Sequence, residues 1–184
     1  ASASASSGGG DPAADKYQKL DSLNAAIAGG PENAPTLLLK VSYVRQLCRE
    51  GKRIPPRQEV PEWAIFTGSV TSNVLVLALS YCWTRRDHPD PDGRTLADVC
   101  EFLEYIEVSR HFGDDNPNFR DNYNIHDRDI VIFWDFPALY QNLAPWPEDE
   151  TARREEDSRT EAQLESFKQG LRSVNLWYAH VETW

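Results

Sequence analysis

Val74-Leu75-Val76-Leu77-Ala78-Leu79 is an unbroken apolar run with β-branched members, bounded by polar residues on both sides. Alternation would mark a strand with one wet face; continuous apolarity over so short a run marks a strand covered on both faces, as in a parallel sheet. Ile130-Val131-Ile132-Phe133-Trp134 repeats that signature further along. Between the two runs, after the turn-rich Asp87-His88-Pro89-Asp90-Pro91-Asp92-Gly93, Leu96, Val99, Leu103 and Ile106 trace one helical face. Thr95 and Asp98 read as the capping box of that helix, which should run to about Ser109. Beyond the second run, Thr160 and Gln163 form a second capping box ahead of Leu164, Phe167, Leu171, Val174 and Tyr178, an amphipathic helix. Val181 to Trp184 then begin a third strand. Such an alternation of strand and helix builds right-handed βαβ units, so the sequence predicts an α/β fold: a parallel sheet of about three strands with flanking helices.

Upstream lies a small helical N-terminal region. Residues 1–10 are only Ala, Ser and Gly, which cannot bury enough apolar surface to offset the entropy of ordering, so 1–14 are expected to be a flexible tail. Leu20, Leu23 and Ile27 have helical spacing within 17–27, ahead of the stop signal Gly29-Gly30-Pro31. In 36–50 the stripe Leu37, Val41, Val44 and Cys48 predicts another helix ending at Gly51, although Leu37-Leu38-Leu39 could equally begin a strand. Pro55, Pro56 and Pro61 make 52–61 an extended connector. The division that follows is tail 1–14, helical lead-in and connector 15–61, and α/β domain 62–184.

A chain of 184 residues that is 40% apolar can form one core without metal or disulfide staples. Its net charge of -10 repels phosphate backbones and anionic headgroups, so nucleic acid is not an expected partner. Membrane insertion is not expected either, because the longest apolar run is far too short to span a bilayer and no hydrophobic leader is visible. Cys48, Cys82 and Cys100 cannot all pair within one chain and lack the close spacings of metal sites, so they read as buried thiols of a reducing, intracellular compartment. The absence of methionine suggests a processed product or a piece of a longer reading frame, in the cytoplasm or, after removal of a transit peptide, an organelle such as the chloroplast.

No phosphate-loop, dinucleotide, nucleophile-elbow or zinc-protease motif occurs in the sequence. The oxygen-rich segment 114–129 lacks the glycine and terminal glutamate of a calcium loop, and the acidic run 148–161 reads as solvated, so no metal site is expected. In a parallel sheet the loops leaving neighbouring strands open on one rim, where ligand crevices form. Ser80, Tyr81, Trp83 and His88 on the first exit could stack on and hydrogen-bond a planar ligand, or only roof the core. On the second exit, Asp135 could accept from a ribose or from amides of its own loop. Gln141 reads more readily as a brace for that loop than as a substrate contact. His88 and His180 could act as general bases, yet a histidine at an element's end is more often a polar terminus.

Leu77-Ala78-Leu79-Ser80-Tyr81-Cys82-Trp83 resembles the Ala-Leu-Ser-Tyr-x-Trp motif that opens heterokaryon-incompatibility (HET) domains. Their later Trp-Ile-Asp-x-x-x-x-x-Gln motif is similar to the stretch from Trp134 and Asp135 through Leu139 to Gln141, with Trp and Asp one residue closer here. Asn175-Leu176-Trp177-Tyr178-Ala179-His180 resembles the end of the family's second conserved helix. A further likeness, to HET-like proteins of algae and other protists, takes in His88-Pro89-Asp90, Arg159-Thr160-Glu161 and Trp177-Tyr178-Ala179-His180. The resemblance covers 73–184. It implies a flavodoxin-like sheet related to the Toll/interleukin-receptor (TIR) fold, with Ser80-Tyr81 ending the first strand and Asp135 following the second.

Some TIR-like domains hydrolyse NAD with a glutamate beyond the third strand, and others only assemble. In the protist relatives, a segment resembling Gly-Trp-x-x-x-Glu follows the strand that begins here at Val181, and it would fall after Trp184. The leading expectation is therefore a HET/TIR-like module that scaffolds by association with a protein partner or with its own copies, inside a larger assembly or polypeptide. No catalytic residue is assigned and no cofactor is expected. The alternative is a nucleotide-handling enzyme, or its remnant, of NAD glycohydrolase type, with NAD at the rim. A plain structural subunit is the third reading.

Overall fold

The computed structural model describes residues 15–112, 129–149 and 156–184. The expected tail, the oxygen-rich segment 114–129 except its last residue, and part of the acidic run 148–161 lie outside these. The elements are α1 (Leu20–Ile27), α2 (Gly30–Asn33), β1 (Leu39–Lys40), α3 (Val41–Arg49), 3-10 turns at Arg57–Glu59 and Glu62–Ala64, β2 (Val74–Leu79), α4 (Arg94–Phe112), β3 (Asp129–Trp134), α5 (Asp135–Ala138) and α6 (Glu161–Ala179).

Both apolar runs are strands, and they pair in parallel from Val74 opposite Asp129 to Leu79 opposite Trp134. The sheet order is β1-β3-β2, with β1 antiparallel to β3, so the three-stranded sheet is mixed and not parallel throughout as the sequence predicts. On the other side of β2 the expected third strand is a single parallel bridge from Val76 to Thr183. Trp184 N–H donates to Val76 O at 3.0 Å and Ala78 N–H to Trp184 O at 2.7 Å. The parallel segments thus run β3, β2, Thr183, with β2 in the middle.

Side chains on a strand alternate between faces, and here both faces are covered. Leu75, Leu77, Ile132 and Trp134 pack with Val44 and Leu47 of α3 and Leu96, Val99 and Leu103 of α4. Val74, Val76, Val131 and Phe133 pack with Leu23 and Ala26 of α1 and Leu176 and Trp177 of α6. Ile132, Phe133 and Trp134 are fully buried, which is why this strand reads as continuously apolar.

Four further details depart from the sequence reading. The stretch expected to be helical from 36 is extended to Lys40, and the helix starts at Val41. Leu37, Leu38 and Leu39 are all buried, which one helical stripe cannot achieve and a segment passing between layers can. The amides of Thr95 and Leu96 are capped by the two oxygens of buried Asp90, at 3.1 and 2.9 Å, rather than by a Thr95/Asp98 box. The Thr160/Gln163 box is present, but α6 buries Ser166, Gly170, Leu176 and Trp177 and leaves Leu171 51% exposed. That face is small because the backbone of Pro35 crosses it: a Cβ on Gly170 would lie 2.5 Å from Pro35 O and 2.4 Å from Leu139 Cδ2. Finally, Cys48 and Cys100 are joined in a disulfide between α3 and α4, and Cys82 is exposed, so the three are not buried thiols. Crosslinking positions 52 apart restricts the unfolded chain by about 4 kcal/mol on a loop-entropy argument.

The proline-rich connector is held by Arg57, which is only 3% exposed. Its Nη1 donates to Pro35 O and Ala138 O at 3.3 and 3.1 Å, and its Nη2 to Pro31 O and Ala34 O at 3.0 and 2.8 Å. The guanidinium also lies 4.0 Å from the centre of the Tyr140 ring. Burial lowers its pKa to about 10, so it remains a cation at neutral pH, its charge met by carbonyl dipoles and an aromatic face.

Two substitutions test this packing. Gly170→Ala forces Pro35 and α6 apart and should destabilise by about 1–3 kcal/mol, read as a lower urea midpoint at unchanged slope. Arg57→Met keeps the stem's bulk and takes a donor from four carbonyls, of which Ala34 O keeps the Ser166 hydroxyl and Ala138 O the Leu37 amide; a loss of about 3 kcal/mol is expected, and a neutral result in the same titration would remove Arg57 as the tie.

Candidate functional site

Because β2 and β3 are parallel, Ser80-Tyr81 and Asp135 leave the sheet on the same rim. Tyr81 stands edge-on to Trp134 with ring centres 5.5 Å apart. Trp83 and His88 both lie against Phe136, at 5.5 and 4.9 Å. Ser80 is exposed at the strand's exit. The rim residues nominated from sequence are therefore neighbours.

Several of them are held by bonds within the fold. His88 Nδ1 accepts the Asp90 N–H at 3.0 Å, so its proton sits on Nε2, which donates to Ile54 O at 3.0 Å. His180 repeats this arrangement: Nδ1 accepts from Glu182 N–H and Nε2 donates to Lys19 O, each at 3.1 Å. Each ring locks a turn and ties it to the N-terminal region, so both histidines have the partners that sequence alone did not reveal. Pro89 O accepts from the Thr84 amide and hydroxyl, closing the loop between them. Gln141 donates to Phe136 O and Leu139 O at 3.0 and 2.8 Å, and its amide donates to Gln58 Oε1 at 3.2 Å.

Asp135 opens α5 and accepts the Phe136 N–H at 2.7 Å. Burial raises its pKa from the ordinary aspartate value, against the pull of that amide and of the Trp83 indole. Tyr81 Oη is pushed upward, first by burial and then by the charges of Asp135 and Asp90; the Trp134 indole pulls the other way without reaching hydrogen-bond geometry. Tyr81 Oη and Trp134 Nε1 are buried with no hydrogen-bond partner. Tyr178, whose hydroxyl donates to Leu79 O at 3.2 Å, is raised to about 12 by burial and by Asp135.

Comparison with family models, with curated proteins and with solved structures gives no match to this chain. The site rests on its own geometry.

Beside this cluster is a cleft of about 190 Å³ whose lining combines the apolar Trp83, Phe136, Leu143, Trp146 and Phe167 with the polar Arg86, Asp87, Gln141, Asn142 and Arg159. Arg86 lies 4.3 Å over the Trp146 ring and Arg159 4.1 Å over Phe167. Arg159 also grips Asp157 through Nε and Nη2, at 2.8 and 2.6 Å. The sequence reading found Trp83, Gln141 and Arg159 here and missed Arg86, Leu143 and Trp146; a tryptophan between Pro145 and Pro147 in a polar stretch was the available signal. Other motif positions lie elsewhere. Trp177 stacks on Phe133 at 5.1 Å and donates to Thr36 Oγ1 at 3.2 Å beneath the opposite face of the sheet, and Glu161 is exposed at the start of α6. No group of three or more metal-ligating side chains occurs among the described residues.

The raised pKa of Asp135 has a sign. The folded state holds this proton more tightly than the unfolded chain, so Asp135 costs stability as pH rises from the unfolded value of about 3.9 through the raised one. The stability of the native chain minus that of Asp135→Asn should therefore fall as pH rises from about 4 in urea titrations; a difference that grows instead would contradict the burial account.

Proposed function

We propose that this chain is a HET/TIR-like module that acts by association, its rim receiving part of a protein partner or of a second copy. The observation that carries this reading is the cleft beside Trp83. At about 190 Å³ it falls below the roughly 300 Å³ at which small-molecule pockets begin, and its mixed aromatic and polar walls suit one inserted side chain better than a dinucleotide. Trp83, Leu143 and Trp146 are 42%, 48% and 36% exposed, and exposed tryptophans are the residues that most often anchor interfaces. The placement of β2 between β3 and Thr183, with Ser80-Tyr81 and Asp135 on one rim, accords with a flavodoxin-like order and supports this reading.

A second reading, nucleotide handling, is favoured by the two unpartnered donors of Tyr81 and Trp134 near half-buried Asp135. A glycosidic bond cleaved through an oxocarbenium-like state needs a carboxylate close by, and Asp135 is the rim carboxylate that could serve.

Light scattering on a sizing column separates the two. Association predicts a species above monomer mass at micromolar concentration, alone or with a partner, that Trp83→Ser and Leu143→Ser return to monomer without changing the circular dichroism. A monomer indifferent to both substitutions, in a preparation that releases nicotinamide from NAD, would replace association with the enzyme reading.

A further inference from the structure

The contact between α3 and α4 is arranged for two covalent states. Cys48 Sγ lies 3.3 Å from Leu96 O, and Cys100 Sγ lies 3.7 Å from Val44 O. Leu96 precedes Cys100 by one helical turn and Val44 precedes Cys48 by one turn, so each sulfur faces the carbonyl one turn before its partner. A helical carbonyl accepts one N–H from its own helix and keeps a second lone pair. If the disulfide opens, both new S–H groups have acceptors already in place, and no buried polar group is orphaned.

The seam has other ties that survive such a change. Arg45 Nη2 donates to Leu103 O at 3.1 Å and pairs with Glu107 at 2.8 Å. Val44, Leu47, Leu96, Val99 and Leu103 share one apolar cluster with the sheet. From these observations we propose that Cys48 and Cys100 are a reversible two-electron redox couple that changes the covalent link between α3 and α4 while the fold persists. The co-reactant is a dithiol. Cys48 is half-buried and Cys100 only 8% exposed, so a thiolate of the reductant attacks Cys48 Sγ. The Cys48–Cys100 bond breaks as the mixed disulfide forms, and Cys100 leaves as a thiolate that takes a proton from water. The reductant's second thiol then attacks its own sulfur in the mixed disulfide, loses its proton to water, and releases Cys48 as a thiolate that is protonated in turn. The reductant ends as a disulfide, and the chain has gained two electrons and two protons.

The link reaches the rim. Asp90 caps the first turn of α4, and His88, bonded to the Asp90 amide, stands edge-on to Phe136 beside Asp135. Loosening α4 therefore acts on the loop that carries Trp83.

The test equilibrates the full chain across ratios of reduced to oxidised dithiothreitol, quenches with an alkylating agent and weighs the intact protein. Of the three cysteines, only Cys82 should be labelled in the oxidised form and all three in the reduced form. Far-ultraviolet dichroism should be retained in both, and reoxidation should restore the singly labelled species. The double variant Cys48→Ser/Cys100→Ser should fold with a lower Tm and no redox response. Three labels at every ratio would show that the bond does not form and would overturn the proposal. Irreversible unfolding on reduction, or an unfolded double variant, would overturn it as well by reducing the disulfide to a staple.

Discussion

The constraint on which the structure depends is the enclosure of β3. It has a strand on each edge and helices over each face, and its last three side chains are fully buried. Every backbone polar group of such a strand must be met by a ladder, because water cannot reach it. That requirement fixes β2 beside it in parallel register and recruits β1, short as it is, to the opposite edge. Both core clusters and the rim are laid out from this line of residues.

How much was legible follows from the range of each interaction. The two buried strands announce themselves in Val74 to Leu79 and Ile130 to Trp134, because burial on both faces leaves no polar position within the runs. The capping box of α6 is equally local. Other features are written in another part of the chain. Leu39 and Lys40 form a strand only because Val131 and Ile132 lie opposite, and Ser166 and Gly170 face inward only because Pro35 passes there. Asp90 caps α4 across the Gly93 turn, where a box at Thr95 looked simpler. Cys48 and Cys100 pair only once two helices have been placed side by side.

The candidate site divides in the same way. The grouping of Tyr81, Trp83, His88 and Asp135 was readable, since parallel strands bring their exits together. The work of each side chain was not. His88 and His180 looked available for proton transfer, yet both are bonded on both ring nitrogens to main chain. Gln141 is the brace that its loop position suggested. Leu143 and Trp146 drew no attention in a polar, proline-rich stretch, and they line the cleft with Trp83.

The buried guanidinium of Arg57 has a consequence for how the chain assembles. Its acceptors include Ala138, far along the sequence, and the strand that β1 needs is also made late. When residues 15–61 have been synthesised, the Arg57 acceptors at Pro31, Ala34 and Pro35 are present, while Ala138 and the strand opposite Leu39 are not. The last Arg57 bond and the β1 edge therefore close only once β3 and the turn after it have been synthesised, which couples the amino-terminal segment to sequence far downstream.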